Sequence, residues 1–187
     1  MDFERYLADG ERLRGNIAAL IRLVPPTALE WQPTPSTMTM RALIRHLTGV
    51  ADARALALAL MGQAGAMVVR GEPATASSPA QLAAMYEHVA SGGLERLRNI
   101  PRDRVQSALA GPATLPWGAP STVEGLAWAT FEHEVHHRTQ LFLYLKMLGV
   151  PVDTQTLWPR DPSASTDVPA LAIGMPTHLR VARAPNG

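Results

Sequence analysis

Apolar residues recur at spacings of three and four along four stretches of the chain, a periodicity typical of amphipathic helices. These stretches, residues 2–23, 38–62, 80–99 and 121–148, contain none of the 16 prolines in the sequence, and proline is disfavoured inside helices. Alternating β-branched and aromatic residues never persist long enough to predict a strand. The pattern therefore predicts an all-α protein built as a four-helix bundle.

Capping residues mark the expected ends of these helices. Thr37 or Thr39 is placed to cap the second helix, and Ser78 followed by Pro79 fits the start of the third. Gly149 is expected to end the fourth helix, with a proline two residues beyond it.

The fourth helix has the clearest periodicity. Ser121, with Glu124 three residues later, predicts a capping box at its start. His133 and His137 are expected on one face of this helix, one turn apart. The other members of that face are Val123, Leu126, Ala127, Thr130, Glu134, Leu141, Tyr144, Leu145 and Leu148.

The connections between helices are long and rich in proline. A loop is predicted at residues 63–79 and a second long connection at 101–120. With connections of this length the bundle need not be a simple up-down-up-down arrangement. We expect residues 1–151 to form one metal-binding domain. Residues 152–187, rich in Pro, Ala and Thr, are expected to form a largely irregular extension.

Composition narrows the functional classes. The 187 residues carry a net charge of +1, which gives no electrostatic footprint for nucleic acid or for an anionic membrane. The sequence contains no cysteine, so disulfides, thiolate ligands and a cysteine nucleophile are excluded. No signal-like or membrane-spanning stretch is evident, and we expect a soluble cytoplasmic protein.

The histidines suggest a metal site. His46 falls on the apolar face of the second helix, opposite the expected positions of His133 and His137. Burying a lone imidazole costs free energy unless its nitrogens find partners, and one metal ion would satisfy all three rings. Three nitrogen ligands with an open fourth position are typical of a catalytic site. The alternative is that each histidine hydrogen-bonds to backbone. His136 points about 100° away from His137 and is expected to be exposed or outside the ligand set.

Two rival metal motifs fit less well. The run from His133 to His137 matches H-E-x-x-H, the zinc peptidase helix with glutamate as base. However, the extended metzincin pattern is missing, and no glutamate follows Glu134 to act as third ligand. A di-iron bundle needs Glu-x-x-His on two helices, and only Glu134 and His137 have that spacing.

Several residues around the histidines have open roles. Glu134 is a candidate acid/base or outer-shell group, although a glutamate on a helix face is often solvated or paired with arginine. Arg138 and Gln140 are candidates for hydrogen bonds around the site, or for tying the fourth helix to its neighbours.

Loop tryptophans and the remaining histidines carry weaker signals. Trp31, Trp117 and Trp158 lie in expected loops, where they would line a pocket or, as we favour, cap the core. His88 and His178 have no partner pattern and are expected on the surface.

Together these residues resemble the DinB/YfiT-like superfamily of bacterial four-helix metalloproteins. The similarity covers about residues 1–151 and rests on Trp31 with Pro33, Leu43-Ile44-Arg45-His46-Leu47, His133-Glu134-Val135-His136-His137-Arg138-Thr139-Gln140-Leu141, and Leu145 with Leu148-Gly149-Val150-Pro151. The resemblance implies an up-down-down-up topology, a divalent ion held by His46, His133 and His137, and a homodimer. Thr139 departs from the family, in which glycine usually precedes the glutamine.

The resemblance also implies classes of chemistry. Better understood relatives use the metal with a low-molecular-weight thiol, in S-transfer or in isomerisation of maleylpyruvate, whereas many others are only predicted to be metal-dependent hydrolases. We therefore expect an enzyme in which Zn²⁺ or Ni²⁺ activates a water or thiol toward a small-molecule substrate. The alternatives are a non-catalytic metal-binding stress protein and a bundle without metal.

Overall fold

The computed structural model describes residues 1–63 and 76–157, and this part of the chain is mostly helical, as predicted. None of the described helices is both long and apolar enough to cross a bilayer. The long helices are α1 (Phe3–Arg22), α2 (Met40–Ala51), α4 (Pro79–Arg98) and α6 (Val123–Met147). The shorter elements are a 3₁₀ turn (Pro26–Ala28), α3 (Arg54–Leu60), α5 (Arg102–Ala108), β1 (Pro112–Thr114), β2 (Pro120–Thr122) and α7 (Thr154–Leu157).

Helices α1 and α6 run parallel. Near the start of both, the Tyr6 hydroxyl donates to the carbonyl of Ala127, and two turns further along Arg14 pairs with Glu134. Helix α4 runs antiparallel to α1, because residues late in α4 meet residues early in α1. The pairs that show this are Arg98–Glu11 and Arg22–Glu87.

Helix α2 completes the bundle by packing against both α4 and α6. It is antiparallel to α6 and parallel to α4. The contacts that fix these directions are His46–His133 and Met38–Tyr144 against α6, and Arg41–Ala76 and Arg96–Asp52 against α4. Relative to α1, the four long helices run up, down, down and up, which confirms the expected topology.

Aliphatic side chains from all four long helices fill the bundle. The predicted helical stripes supply most of them, and each fully buried leucine or isoleucine contributes about 1.5–3 kcal/mol. Completely buried examples include Ile17, Leu20, Ile21, Leu43, Leu47, Leu82, Leu97, Leu141 and Leu145.

Three of the predicted helix ends are confirmed. The hydroxyl of Thr39 accepts from the backbone of the first turn of α2. Ser78 forms a capping box with Gln81 at the start of α4, with Pro79 as the first helical residue. Gly149, with φ of 75°, follows the end of α6, and its left-handed conformation suits a residue without a Cβ.

The predicted capping box at Ser121 is wrong. Ser121 pairs with Ala113 in the β1–β2 hairpin, which holds it in an extended conformation. The helix therefore begins one residue later, with the side chain of Thr122 as its cap, and Glu124 pairs with the α-amino group of Met1. The long connection predicted at residues 101–120 contains α5 and most of this hairpin, neither of which was predicted.

The expectation of a single helix over 38–62 is also corrected. The chain breaks between α2 and α3 at Ala53, which adopts a left-handed φ of 53°. Arg96 of α4 donates to the carbonyl and the carboxylate of Asp52, at 2.6 and 2.9 Å. The guanidinium thus satisfies a carbonyl that the interrupted helix leaves without an intrahelical donor.

The same crossing requires a glycine on α4. A Cβ at Gly93 would lie 2.4 Å from the carbonyl oxygen of Ala51 and 2.8 Å from that of Asp52. Both atoms belong to the backbone, so neither can rotate away. Gly93 therefore sets how closely α4 approaches the end of α2.

We predict that Gly93→Ala destabilises the protein by about 1–3 kcal/mol, because it overpacks this crossing. Gly92→Ala is the matched control, since a Cβ there meets nothing within 4 Å and alanine favours helix over glycine by about 0.5–1 kcal/mol. Urea unfolding of both variants measures the difference. Equal stabilities would contradict the close approach.

Candidate metal centre

The bundle brings the three predicted histidines together. His133 and His137 lie one turn apart on α6, and His46 faces them from the middle of α2. One ring nitrogen from each residue lies within 4.8 Å of the other two. The Nε2 atoms of His46 and His133 are 2.9 Å apart, a distance at which one imidazole donates its N–H to the other.

The site is partly open to solvent and favours the neutral form of His46 and His133. All three rings are half-buried. Burial, followed by the neighbouring His137 and His133, lowers the pKa of His46. Burial, followed by His137 and His136, lowers the pKa of His133. At neutral pH both rings therefore remain uncharged, which is the state in which imidazole binds metal.

The donor set fits a divalent transition ion. Imidazole nitrogen suits zinc and nickel, among others. Two nitrogens on one tetrahedral zinc, each about 2.0–2.1 Å from the ion, lie about 3.3 Å apart, so the contact between His46 and His133 needs to open by only about 0.4 Å. Within the described residues no carboxylate or further histidine joins this group.

A hydrogen-bonded chain leads away from His137. Its Nδ1 is 2.8 Å from Oε1 of Gln140, as expected for a glutamine beside the site. The Gln140 amide donates to the Tyr144 hydroxyl at 2.8 Å, and this hydroxyl donates to the carbonyl of Met38 at 3.3 Å. Sequence reasoning placed Tyr144 only on the buried stripe and missed its hydroxyl contacts.

Glu134 lies beside the histidines in sequence but faces α1. Glu134 is only 2% exposed, and its carboxylate accepts from Nε and Nη2 of Arg14 at 3.0 and 2.7 Å. Burial alone would lower the pKa of Arg14, but the charge and hydrogen bonds of Glu134 outweigh it and raise that pKa. Sequence reasoning allowed for an arginine partner but did not single out Arg14, although its spacing of seven residues from both Leu7 and Ile21 places it on the apolar face of α1.

The remaining histidines and Arg138 have simpler positions. His136 and His88 are exposed, as predicted, and His178 lies outside the described residues. Arg138 is buried on α6, where burial lowers its pKa.

The tryptophans predicted to lie in loops differ in how they contact the core. Trp31 packs edge-on against the ring of Tyr144, with centroids 5.5 Å apart, and so covers the core as expected. Trp117 is 62% exposed, so the prediction that it caps the core is wrong. Trp158 lies outside the described residues.

The fold and these side chains define a four-helix bundle with a solvent-accessible group of three histidines between two of its helices. The family model of the DinB superfamily matches residues 10–141, and the chain belongs to this superfamily.

Two solved structures have the same fold. A DinB-like protein from Bacillus subtilis shares 16% identity and a TM-score of 0.60, over 78% of this chain and 92% of that one. A DinB-like protein from Bacillus cereus shares 18% identity and a TM-score of 0.58, over 80% of this chain and 96% of that one. No curated protein matches the sequence.

We predict that Arg14→Met destabilises the protein by about 3–5 kcal/mol, because it leaves the buried carboxylate of Glu134 without its partner. Combining it with Glu134→Met should restore much of this loss, since both charges are then removed. Chemical denaturation of the single and double variants measures the coupling.

The solvent-accessible pair of Arg22 and Glu87 provides the control. Arg22→Met should cost no more than about 1 kcal/mol. An Arg14→Met effect as small as this would show that the buried pair does not hold α1 against α6.

Proposed function

We propose that this protein is a metal-dependent enzyme in which His46, His133 and His137 hold one Zn²⁺ or Ni²⁺ ion. The observation that carries the proposal is the convergence of three half-buried ring nitrogens within 4.8 Å. Such a set leaves room for a ligand from solvent, as catalytic metal sites do. Bound there, the ion would supply Lewis-acid chemistry that lowers the pKa of a water or thiol ligand.

The chain's own groups would set the conditions for this chemistry. The lowered pKa values of His46 and His133 keep these rings available as ligands at neutral pH. The partly open surface of the three rings would admit a small substrate. Because the sequence lacks cysteine, a thiol nucleophile must arrive as a cosubstrate.

The role of Glu134 as an acid/base stays a prediction, and its ion pair favours a different role. Both carboxylate oxygens already accept hydrogen bonds from Arg14, so proton transfer at the site would require this pair to open. We infer that Glu134 holds α6 in place. The same ion pair argues against the H-E-x-x-H peptidase alternative, in which the glutamate is the free base.

We predict that protein purified without a histidine tag binds one equivalent of Zn²⁺ or Ni²⁺, measured by elemental analysis after dialysis and by calorimetric titration. His137→Ala should weaken binding more than about 100-fold, since loss of an outer-shell partner alone costs 10–100-fold. His136→Ala is the matched control, because its exposed ring lies on the same helix and its loss should leave affinity unchanged. Absence of binding, or equal effects of the two variants, would refute the site.

A second test concerns catalysis. We expect the metal-loaded protein to accelerate either consumption of a small thiol by an aryl chloride or hydrolysis of an activated ester, followed by absorbance. In the first reaction a C–S bond forms, chloride leaves and the thiol proton passes to solvent. Turnover should need the metal, disappear in His137→Ala and persist in His136→Ala. Stoichiometric metal with neither activity would favour the non-catalytic alternative.

A further inference from the structure

The hydrogen bonds beyond His137 have a fixed direction. The carbonyl of Met38 can only accept, so the Tyr144 hydroxyl, 3.3 Å away, donates its hydrogen there. The amide nitrogen of Gln140 can only donate, so the oxygen of Tyr144 accepts from it at 2.8 Å. This leaves the amide oxygen of Gln140, an acceptor, facing Nδ1 of His137 at 2.8 Å.

The direction of this chain determines which nitrogen of His137 carries a hydrogen. A neutral imidazole has one N–H and one lone pair, and Nδ1 must be the donor because Gln140 presents an acceptor to it. The lone pair then belongs to Nε2, the nitrogen that Gln140 does not contact. We propose that Tyr144 and Gln140 are positioning residues that fix His137 in its Nδ1–H form, so that Nε2 is the ligand atom. This inference rests on the proposed metal site.

Tyr144 is the residue that selects between two orientations of the amide. Rotating the Gln140 amide by half a turn would present N–H groups to Nδ1 and would favour the opposite tautomer, with a hydrogen on Nε2. In that orientation the amide oxygen would face the Tyr144 oxygen, whose only hydrogen is already donated to Met38. Two acceptors would then meet at 2.8 Å unless the Tyr144 hydroxyl turned away from Met38. The rotated amide therefore costs the hydrogen bond to Met38, and this cost favours the orientation in which the amide oxygen faces His137.

The surroundings of Tyr144 make it a rigid anchor. Tyr144 is 4% exposed, and Trp31 packs edge-on against its ring. The carbonyl it contacts, Met38, precedes the N-cap of α2, the helix that carries His46. This chain of hydrogen bonds therefore links the orientation of His137, the proposed ligand on α6, to the backbone just before α2.

The experiment uses the full-length protein and two readouts. Long-range ¹H–¹⁵N spectra of the metal-free protein at pH 8, above the ordinary histidine pKa of about 6.5, report the tautomer of each ring. Comparison with His137→Ala assigns its signals. We expect the Nδ1–H form in the native chain, and an increase of the Nε2–H form in Tyr144→Phe and Gln140→Leu. Gln140→Glu keeps an acceptor at that position and should preserve the Nδ1–H form.

Calorimetric titration with Zn²⁺ gives the second readout. Tyr144→Phe and Gln140→Leu should each weaken binding about 10–100-fold, while the thermal unfolding midpoint of metal-free Tyr144→Phe stays close to that of the native chain. His88, exposed on α4, serves as an internal control whose tautomer should not change. An unchanged His137 tautomer in Tyr144→Phe would overturn the proposal, whatever the metal affinity.

The two readouts separate this proposal from the metal site itself. A tautomer that follows Tyr144 in a protein that binds no Zn²⁺ would support the positioning role and refute the proposed function. Zn²⁺ binding at His46, His133 and His137 with an affinity that Tyr144→Phe leaves unchanged would support the function and refute the positioning role.

Discussion

The rotation of α6 about its own axis is the constraint on which the site depends. Successive residues are about 100° apart around a helix axis. When Glu134 faces α1, His133 and His137 therefore both point to one side of α6, the side next to the one that faces α1. That side meets α2 and His46. The buried ion pair of Arg14 and Glu134 fixes this rotation, because any other would leave two charges buried without partners. Packing of leucines alone would tolerate more variation.

Helix α2 is held at both ends, by α6 at its start and by α4 at its end. At its start, the backbone before the helix accepts a hydrogen bond from Tyr144 of α6. At its end, Gly93 and Arg96 of α4 hold the last residues closely. His46 lies between these two anchors. A ligand on a helix fixed at both ends loses little freedom on binding, and this preorganisation favours affinity.

The sequence was sufficient for the features that depend on local periodicity and capping. The four helical stretches, the caps at Thr39 and Ser78 and the inward position of His46 follow from spacing and residue type. The break at Ala53 was missed because alanine favours helix and because the hydrogen bonds beside the break, from Arg96 to Asp52, come from another helix. The hairpin was missed because strands of three residues carry almost no periodic signal.

The roles of Arg14 and Tyr144 lay beyond sequence reasoning for a related reason. Arg14 meets its partner across 120 residues of chain. Its spacing of seven residues from both Leu7 and Ile21 places it on the apolar face of α1, but that spacing does not identify Glu134 as its partner. Tyr144 fitted the apolar stripe, and that prediction was correct for its ring. The hydroxyl acts at the edge of the core, where only the packed structure shows which carbonyl it can reach.

With a divalent ion bound, the charge balance of the proposed site would favour an anionic nucleophile. Its three ligands would be imidazoles. Of the two carboxylates adjacent to His133 in sequence, Glu134 pairs with Arg14 and Glu132 is exposed to solvent. The protein would therefore offset little of the charge of a divalent ion. Uncompensated positive charge at a partly buried site stabilises hydroxide or thiolate over water or thiol. A carboxylate ligand in place of one histidine would weaken this effect, so the all-histidine set and the separate pairing of Glu134 work in the same direction.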